Sequence, residues 1–267
     1  MAMDTEASPE QKALALAAAR MIRRMQRAQS DFSIFAEDVC LDEHGGPIRL
    51  APIHRSWMRH IEYCWPRKLR ALLLAPFGSG KSSTLAVPLA CWLVGRDVST
   101  RIKFVTNDDP SASKRVMAAK RIIESLAFRR VFPHARKGDR WTDHELYMRR
   151  PSYASVDPSM HARGIFTTGI GGRADCVIFD DIVDQKNSVD PAQRRRVLEF
   201  AEATWLSRLE PDANVLAIGT AWHQSDAYHV WMQRRGWCTL VQRVADDCMS
   251  IEQEVYGAAD GAYPVVG

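Results

Sequence analysis

The sequence predicts an α/β fold, a mostly parallel central sheet covered by helices on both faces, with a helical extension at the N-terminus. Two observations carry this. Short apolar runs without polar alternation, such as 70–75 (RALLLA) and 176–180 (CVIFD), are separated by longer stretches of helical period, the pattern of strands buried on both faces. A chain of 267 residues, 46% hydrophobic and 25% charged, is long enough for one such core and too evenly mixed for a disordered or low-complexity protein.

The elements follow in order. Ser8, Pro9 and Glu10 offer an N-cap, a proline at the first helical position and an acid in the first turn, so a helix is expected to about residue 27. A turn over 43–47 precedes a helix over 52–63. Strands are then predicted over 70–75, 101–106, 176–180, 215–220 and 238–244, and helices over 81–94, 111–128, 191–209 and 225–235. The less regular stretch 133–172, rich in Arg, Gly and Ser, belongs at one end of the sheet. Residues 1–50 read as a helical extension or lid, 51–250 as the main domain, and 251–267 as the start of a linker.

Charge and cysteines bound the setting. The balance of 36 basic against 32 acidic residues leaves +4, which permits a nucleic-acid partner without requiring one. Cys40, Cys64, Cys91, Cys176, Cys238 and Cys248 form no CxxC and no cysteine–histidine pairing at zinc spacing, so they read as reduced, buried thiols. No apolar run approaches the length of a membrane span. The run 13–19 is followed by Arg20, Arg23, Arg24 and Arg27, the reverse of a secretory signal. A soluble intracellular chain is expected.

The segment LLLAPFGSGKSS over 72–83 reads as a strand, a glycine-bearing loop and a helix start. In Pro76-Phe77-Gly78-Ser79-Gly80-Lys81-Ser82-Ser83, the glycines let backbone N–H groups face an anion, Lys81 reaches the outer phosphates of ATP, and Ser82 offers a hydroxyl to Mg2+. Ala75 stands where the GxxxxGK[ST] pattern begins with glycine. That position closes the strand and need not approach phosphate. Hydrolysis also needs a carboxylate for the metal and a group to orient the attacking water. Asp180 and Asp181, ending the run VIFDD, fill these roles, Asp180 for the metal and Asp181 for the water. The strand–helix unit between loop and acids implies that a third strand separates their two strands, as in ring-forming motor ATPases and helicases of the ASCE type. Thr220, at the end of the 215–220 strand, is placed to sense the γ-phosphate.

Taken in order, HRSWM, APFGSGKSS, GIGGRADCVIFDDIVD and SVDPAQRRRVLEFAEATWLSRLEPDANVLAIGTAWHQSDAY resemble the ATPase domain of the large terminase subunit of tailed bacteriophages, over about 35–244. The resemblance implies a P-loop ATPase that drives double-stranded DNA into a procapsid, in the host cytoplasm. Its implied partners are a portal protein, a small terminase subunit and further copies of itself in a ring. It implies Gly78, Gly80, Lys81 and Ser82 as the phosphate and Mg2+ site, Asp180 and Asp181 as the acidic pair, and Thr220 in the coupling motif. His54 and Trp57 fall where the family flanks the adenine, with core packing the other reading of Trp57. Arg173 matches a recurrent arginine ahead of the acidic strand and is the candidate for a finger acting on a neighbouring subunit, with Arg163 its competitor. Phe77 departs from relatives that carry arginine there. The family also continues into a nuclease, which the resemblance would place after the expected linker.

Arg129, Arg130, Arg149, Arg150 and Arg194 to Arg196 are candidate contacts to a DNA backbone, or solvated faces. His223, Asp226 and His229 share a helical face and read as surface polar groups. Two rival functions keep the same core: a helicase or remodelling ATPase, and a non-hydrolysing nucleotide-gated assembly module.

Overall fold

The computed structural model describes residues 8–151, 156–168, 171–244, 251–258 and 263. Cys248, Gly169 and Ile170 of the GIGGRADCVIFDDIVD motif, and 259–262 and 264–267 of the expected linker lie outside the described residues. The helices are α1 (Pro9–Ser30), α2 (Phe32–Val39), α3 (Pro52–Cys64), α4 (Val87–Arg96), α5 (Asp109–Glu124), α6 (Leu126–Val131), α7 (Gln185–Ser188), α8 (Pro191–Glu199) and α9 (Ala227–Met232). The strands are β1 (Arg70–Leu74), β2 (Ile102–Thr106), β3 (Lys137–Trp141), β4 (Glu145–Met148), β5 (Met160–Gly164), β6 (Ala174–Asp180), β7 (Leu209–Gly219), β8 (Trp237–Val244) and β9 (Ile251–Tyr256).

They form one nine-stranded sheet in the order β3-β4-β5-β2-β6-β7-β1-β8-β9. The pairings from β5 to β8 are parallel, and antiparallel pairs occur only toward the two ends. As the spacing implies, β7 lies between β1, which leads into the phosphate loop, and β6, which ends in the acids. The irregular 133–172 stretch becomes β3, β4 and β5 at one edge.

Successive residues of the inner strands feed opposite faces. Ala71, Leu73, Cys176 and Ile178 enter a core that includes Phe35, Trp57, Leu89, Val116 and Phe128 from the first six helices. Leu72, Leu74, Val177 and Phe179 enter a second with Val197, Trp205, Tyr228 and Trp231. In the second core the Trp231 and Trp237 rings stack at 4.5 Å. The α2 residues Phe32, Phe35, Ala36 and Val39 belong to the first core, so this helix packs as part of the outer layer. Among the described residues, no helix is long and apolar enough to cross a membrane.

Three expectations are corrected. The helix over 111–128 is two helices, because Ser125 takes extended backbone and caps α6, its hydroxyl accepting the Phe128 N–H at 3.1 Å. The helix over 191–209 ends α8 at Glu199 and continues as a π turn, Phe200–Trp205, and a short 3-10 turn before β7 begins at Leu209. Ile251–Tyr256, expected within a linker, is a strand paired antiparallel with β8 from Thr239↔Tyr256 to Val244↔Ile251.

Tyr228 of α9 is fully buried, donates its hydroxyl to the Ile218 carbonyl at 3.2 Å and accepts the Ile182 N–H at 2.9 Å. It thereby ties the end of β7 to the loop after the acids. A β-carbon on Gly219 would lie 2.4 Å from its ring. Gly219→Ala is expected to destabilise the fold by about 2 kcal/mol through this overpacking, read as a lowered denaturation midpoint with an unchanged slope.

Candidate active site

The carboxyl edge of the parallel strands carries the site. Ala75 follows β1, and the loop turns through Gly78 and Gly80 at φ +75° and +82°, backbone that side chains disfavour. A β-carbon at Gly78 would meet nothing within 4 Å. The chain then enters a π-helical turn, Lys81–Ala86, continuous with α4. Pro88 lacks the N–H that would close an ordinary helical bond to Thr84, which favours this wider turn.

Lys81 is 5% exposed, and its ammonium donates to the Ala75 carbonyl at 3.1 Å, the Pro76 carbonyl at 2.9 Å and the Thr220 hydroxyl at 3.1 Å. Burial lowers its pKa, against the opposing pull of Asp181 and Asp180. Thr220 follows the end of β7, so loop, strand end and lysine form one hydrogen-bonded unit. Ser79 Oγ donates to the Pro76 carbonyl at 2.7 Å, and Ser83 Oγ turns back to the Gly80 carbonyl at 3.2 Å.

Ser82 Oγ donates to Asp180 Oδ1 at 2.7 Å. Asp180 ends β6 with its side chain fully buried, where one unpaired charge would be costly. The compensating cation is Arg115 of α5. Its Nε lies 2.5 Å from Asp180 Oδ2 and its Nη2 donates to Ser82 Oγ at 2.9 Å. A guanidinium therefore sits on the two oxygen groups assigned to the metal. A hydroxyl and a carboxylate are hard oxygen donors, and this set fits Mg2+. Nothing in the sequence marks Arg115. It is brought in by the Thr106↔Asp180 register of β2 with β6, which starts α5 beside the acids.

Asp181 has φ +51°, a left-handed conformation uncommon for a side-chain-bearing residue. The Ile218 carbonyl holds it there by accepting its N–H at 2.9 Å. Burial and the neighbouring Asp180 push its carboxyl above the ordinary value, with Lys81 and Arg115 pulling the other way.

These groups open on a cleft of about 690 Å³. Phe77, Gly78, Lys81, Ser82 and Asp181 form its floor, Arg115 and Ile122 one wall, and residues from Val39 to Gly45 another. That last wall runs from the end of α2 into the turn expected over 43–47, which a Leu41↔Pro47 bridge closes. Phe77 projects from the loop tip, 88% exposed.

Neither the His54 nor the Trp57 side chain lines the cleft. Trp57 is 0% exposed and its indole N–H is held by Gln242, so it is a core residue. His54 accepts the Ala51 N–H on Nδ1 at 3.2 Å, which leaves Nε2–H to donate to the Ser79 carbonyl at 3.1 Å. Burial keeps its pKa low, against that bond, and the neutral ring braces the phosphate loop from behind.

Of the two candidate finger arginines, Arg163 pairs with Val105 one residue before the Thr106↔Gly164 pair, on the same sheet edge as Asp180. Arg173 is exposed and precedes β6, on the opposite edge. Neither lines the cleft. Arg150 and Arg194 of the basic clusters are engaged with backbone carbonyls, including Val98 and Ser188, while Arg129, Arg130, Arg149, Arg195 and Arg196 are exposed. Asp226 caps α9 and accepts from His229 Nδ1 at 2.9 Å.

Arg115→Ala strips the buried carboxylate of its partner and is expected to cost about 3 kcal/mol of stability. If Arg115 holds the cation position, added Mg2+ restores part of that loss, giving the variant a larger Mg2+-induced rise in melting temperature than the native chain. Equal shifts would contradict the shared position.

No family model matches the chain. In sequence it is similar to the large terminase subunit of Enterobacteria phage T3, 26% identical over 172 residues, which cover 64% of this chain and 29% of that protein. The match thus spans less than a third of the relative's length. In fold it is similar to the crystal structure of the HK97 bacteriophage large terminase, with a TM-score of 0.54 at 15% identity over 76% of this chain and 40% of that one. The resemblance to large terminase subunits holds in both comparisons.

Proposed function

We propose that this chain is the ATP-hydrolysing motor unit of a viral DNA-packaging terminase, acting on double-stranded DNA in the host cytoplasm. The observation that carries the reading is the joining of Ser82 and Asp180 at 2.7 Å at the foot of the phosphate loop, with a cation already on both. In this reading Gly78 to Ser83 cradle the phosphates of ATP, and Lys81 exchanges its carbonyl partners for the outer phosphate oxygens. Mg2+, held by Ser82 and Asp180, supplies charge neutralisation when bound. Asp181 accepts a proton from the attacking water, and its raised pKa suits a base. Thr220 shares its hydroxyl with Lys81, so a change at the phosphates reaches the end of β7.

The motor runs from about residue 51 through β9, and the end of α2 with the turn after it closes one wall of its cleft. A ring of copies would let an arginine from one serve the cleft of the next. Arg173 fits that role only toward a neighbour, because it lies on the edge away from its own acids. The exposed arginines suit sequence-independent contact with the DNA backbone, and such contact weakens steeply with salt. A portal on the procapsid and a small terminase subunit complete the proposed assembly.

Phosphate release from ATP by the purified chain, with Mg2+ and with or without linear double-stranded DNA, tests the reading. Mg2+-dependent release stimulated by DNA is the expected result. Nucleotide binding without release under either condition would overturn it in favour of the assembly module, and ATP-driven strand separation would favour a helicase.

A further inference from the structure

The fold assembles a second constellation behind the sheet edge, independent of the nucleotide reading. His60 and Cys64 are one helical turn apart on α3 and so share a face. Cys238 comes from β8, where it pairs with Ala71 of β1. All three are buried, and their ligand atoms lie within 4.8 Å of one another. Cys64 Sγ lies 3.8 Å from both ring nitrogens of His60. The spacing along the chain hides this group, since Cys238 is far downstream of the helical pair.

The orientation of His60 is the second observation. Its Nε2–H donates to the Leu72 carbonyl at 3.1 Å. That bond fixes the tautomer and leaves Nδ1 as the acceptor, which takes the Tyr263 hydroxyl at 2.7 Å. A backbone carbonyl on the far nitrogen is how metal-bound histidines are ordinarily held. A nitrogen and two sulfurs therefore lie together in the core, with a phenolic oxygen hydrogen-bonded to the nitrogen.

We propose that His60 Nδ1, Cys64 Sγ and Cys238 Sγ, with Tyr263 Oη as the fourth group, bind a single thiophilic divalent cation of the Zn2+ type. Metal–sulfur bonds of about 2.3 Å and metal–nitrogen bonds of about 2.0 Å put tetrahedral ligands roughly 3.5–3.8 Å apart, close to the Cys64–His60 separation. Binding releases two protons, one from each thiol, and the Tyr263 hydroxyl hydrogen turns away from Nδ1. Two thiolates balance the dication, so no net charge is left in the core. The cation would staple α3, which braces the phosphate loop through His54, to β8 and the underside of β1.

The test titrates the reduced chain with Co2+ under anaerobic conditions, both after folding and during refolding, and follows thiolate-to-cobalt charge-transfer and ligand-field absorption. One equivalent with a tetrahedral, sulfur-rich spectrum is expected, displaced by Zn2+ and accompanied by a higher melting temperature. Cys64→Ala and Cys238→Ser each weaken binding at least about tenfold, whereas Cys176→Ala, at a buried thiol elsewhere, leaves it unchanged. Absence of stoichiometric binding by the native chain in both protocols overturns the proposal, whatever the variants do. So does a spectrum that survives in Cys238→Ser.

Discussion

Lys81→Ala is expected to remove ATP turnover almost completely, by roughly 10³-fold or more, in a phosphate-release assay at saturating Mg2+ and ATP. The ammonium is the buried cation that the phosphate loop supplies to the phosphates, and it also pins the loop. It bonds the carbonyls of Ala75 and Pro76 and the hydroxyl of Thr220. Its loss therefore removes charge at the phosphates and one of the ties between the loop and the end of β7, the Ala75 N–H to Gly219 carbonyl bond at 3.0 Å remaining. Lys81→Arg is expected to rescue poorly, because three converging acceptors fit a compact ammonium better than a planar guanidinium. Native turnover in Lys81→Ala would refute the assignment of the site.

Asp181→Asn is expected to separate activity from stability. An amide cannot take the proton of the attacking water, so turnover falls by about 10²- to 10⁴-fold. Stability moves the other way. Folding raises this carboxyl's pKa above its ordinary value through burial and Asp180, so the folded chain holds the proton more tightly than the unfolded one. That contribution favours folding below the ordinary pKa and is lost as pH rises through the raised one. At neutral pH the ionised group is a net cost. The amide removes it, and asparagine tolerates the left-handed backbone at φ +51°. Melting temperatures at neutral pH should be higher in Asp181→Asn than in the native chain, with the difference shrinking at acid pH.

What was legible in the sequence was what is local. The strands at RALLLA and CVIFD, the glycines at φ +75° and +82° and the acids ending β6 all follow from short patterns whose physics is contained in a dozen residues. That a third strand separates β1 from β6 was also readable, but not which one: the intervening β2 lies on the far side of β6, and the separating strand is the later β7. Arg115 was not legible. Its role depends on the register between β2 and β6, and no local pattern encodes which helix residue then faces Asp180. The placement of His54 and Trp57 was not legible for the same reason: on one helix, Trp57 faces the core and Gln242 while His54 faces the back of the loop. The cleft wall from Val39 to Gly45 reads in sequence as an ordinary turn, and only the packing of α2 turns it toward the phosphates.

The place of β1 in the sheet also governs when the site can exist. Its neighbours are β7 and β8, through pairs such as Ala71 with Leu216 and Ala71 with Cys238, although β1 itself is the first strand in the chain. On a ribosome the phosphate-loop strand therefore emerges long before either partner and waits unpaired. Closing such distant contacts is slow, and an apolar strand kept waiting is exposed to aggregation. In the proposed function, nucleotide binding is thus a late event in the life of each molecule, appearing only when the last third of the sheet slides in on both sides of β1. Ligand-dependent protection of this strand would serve as a clock for the completion of folding.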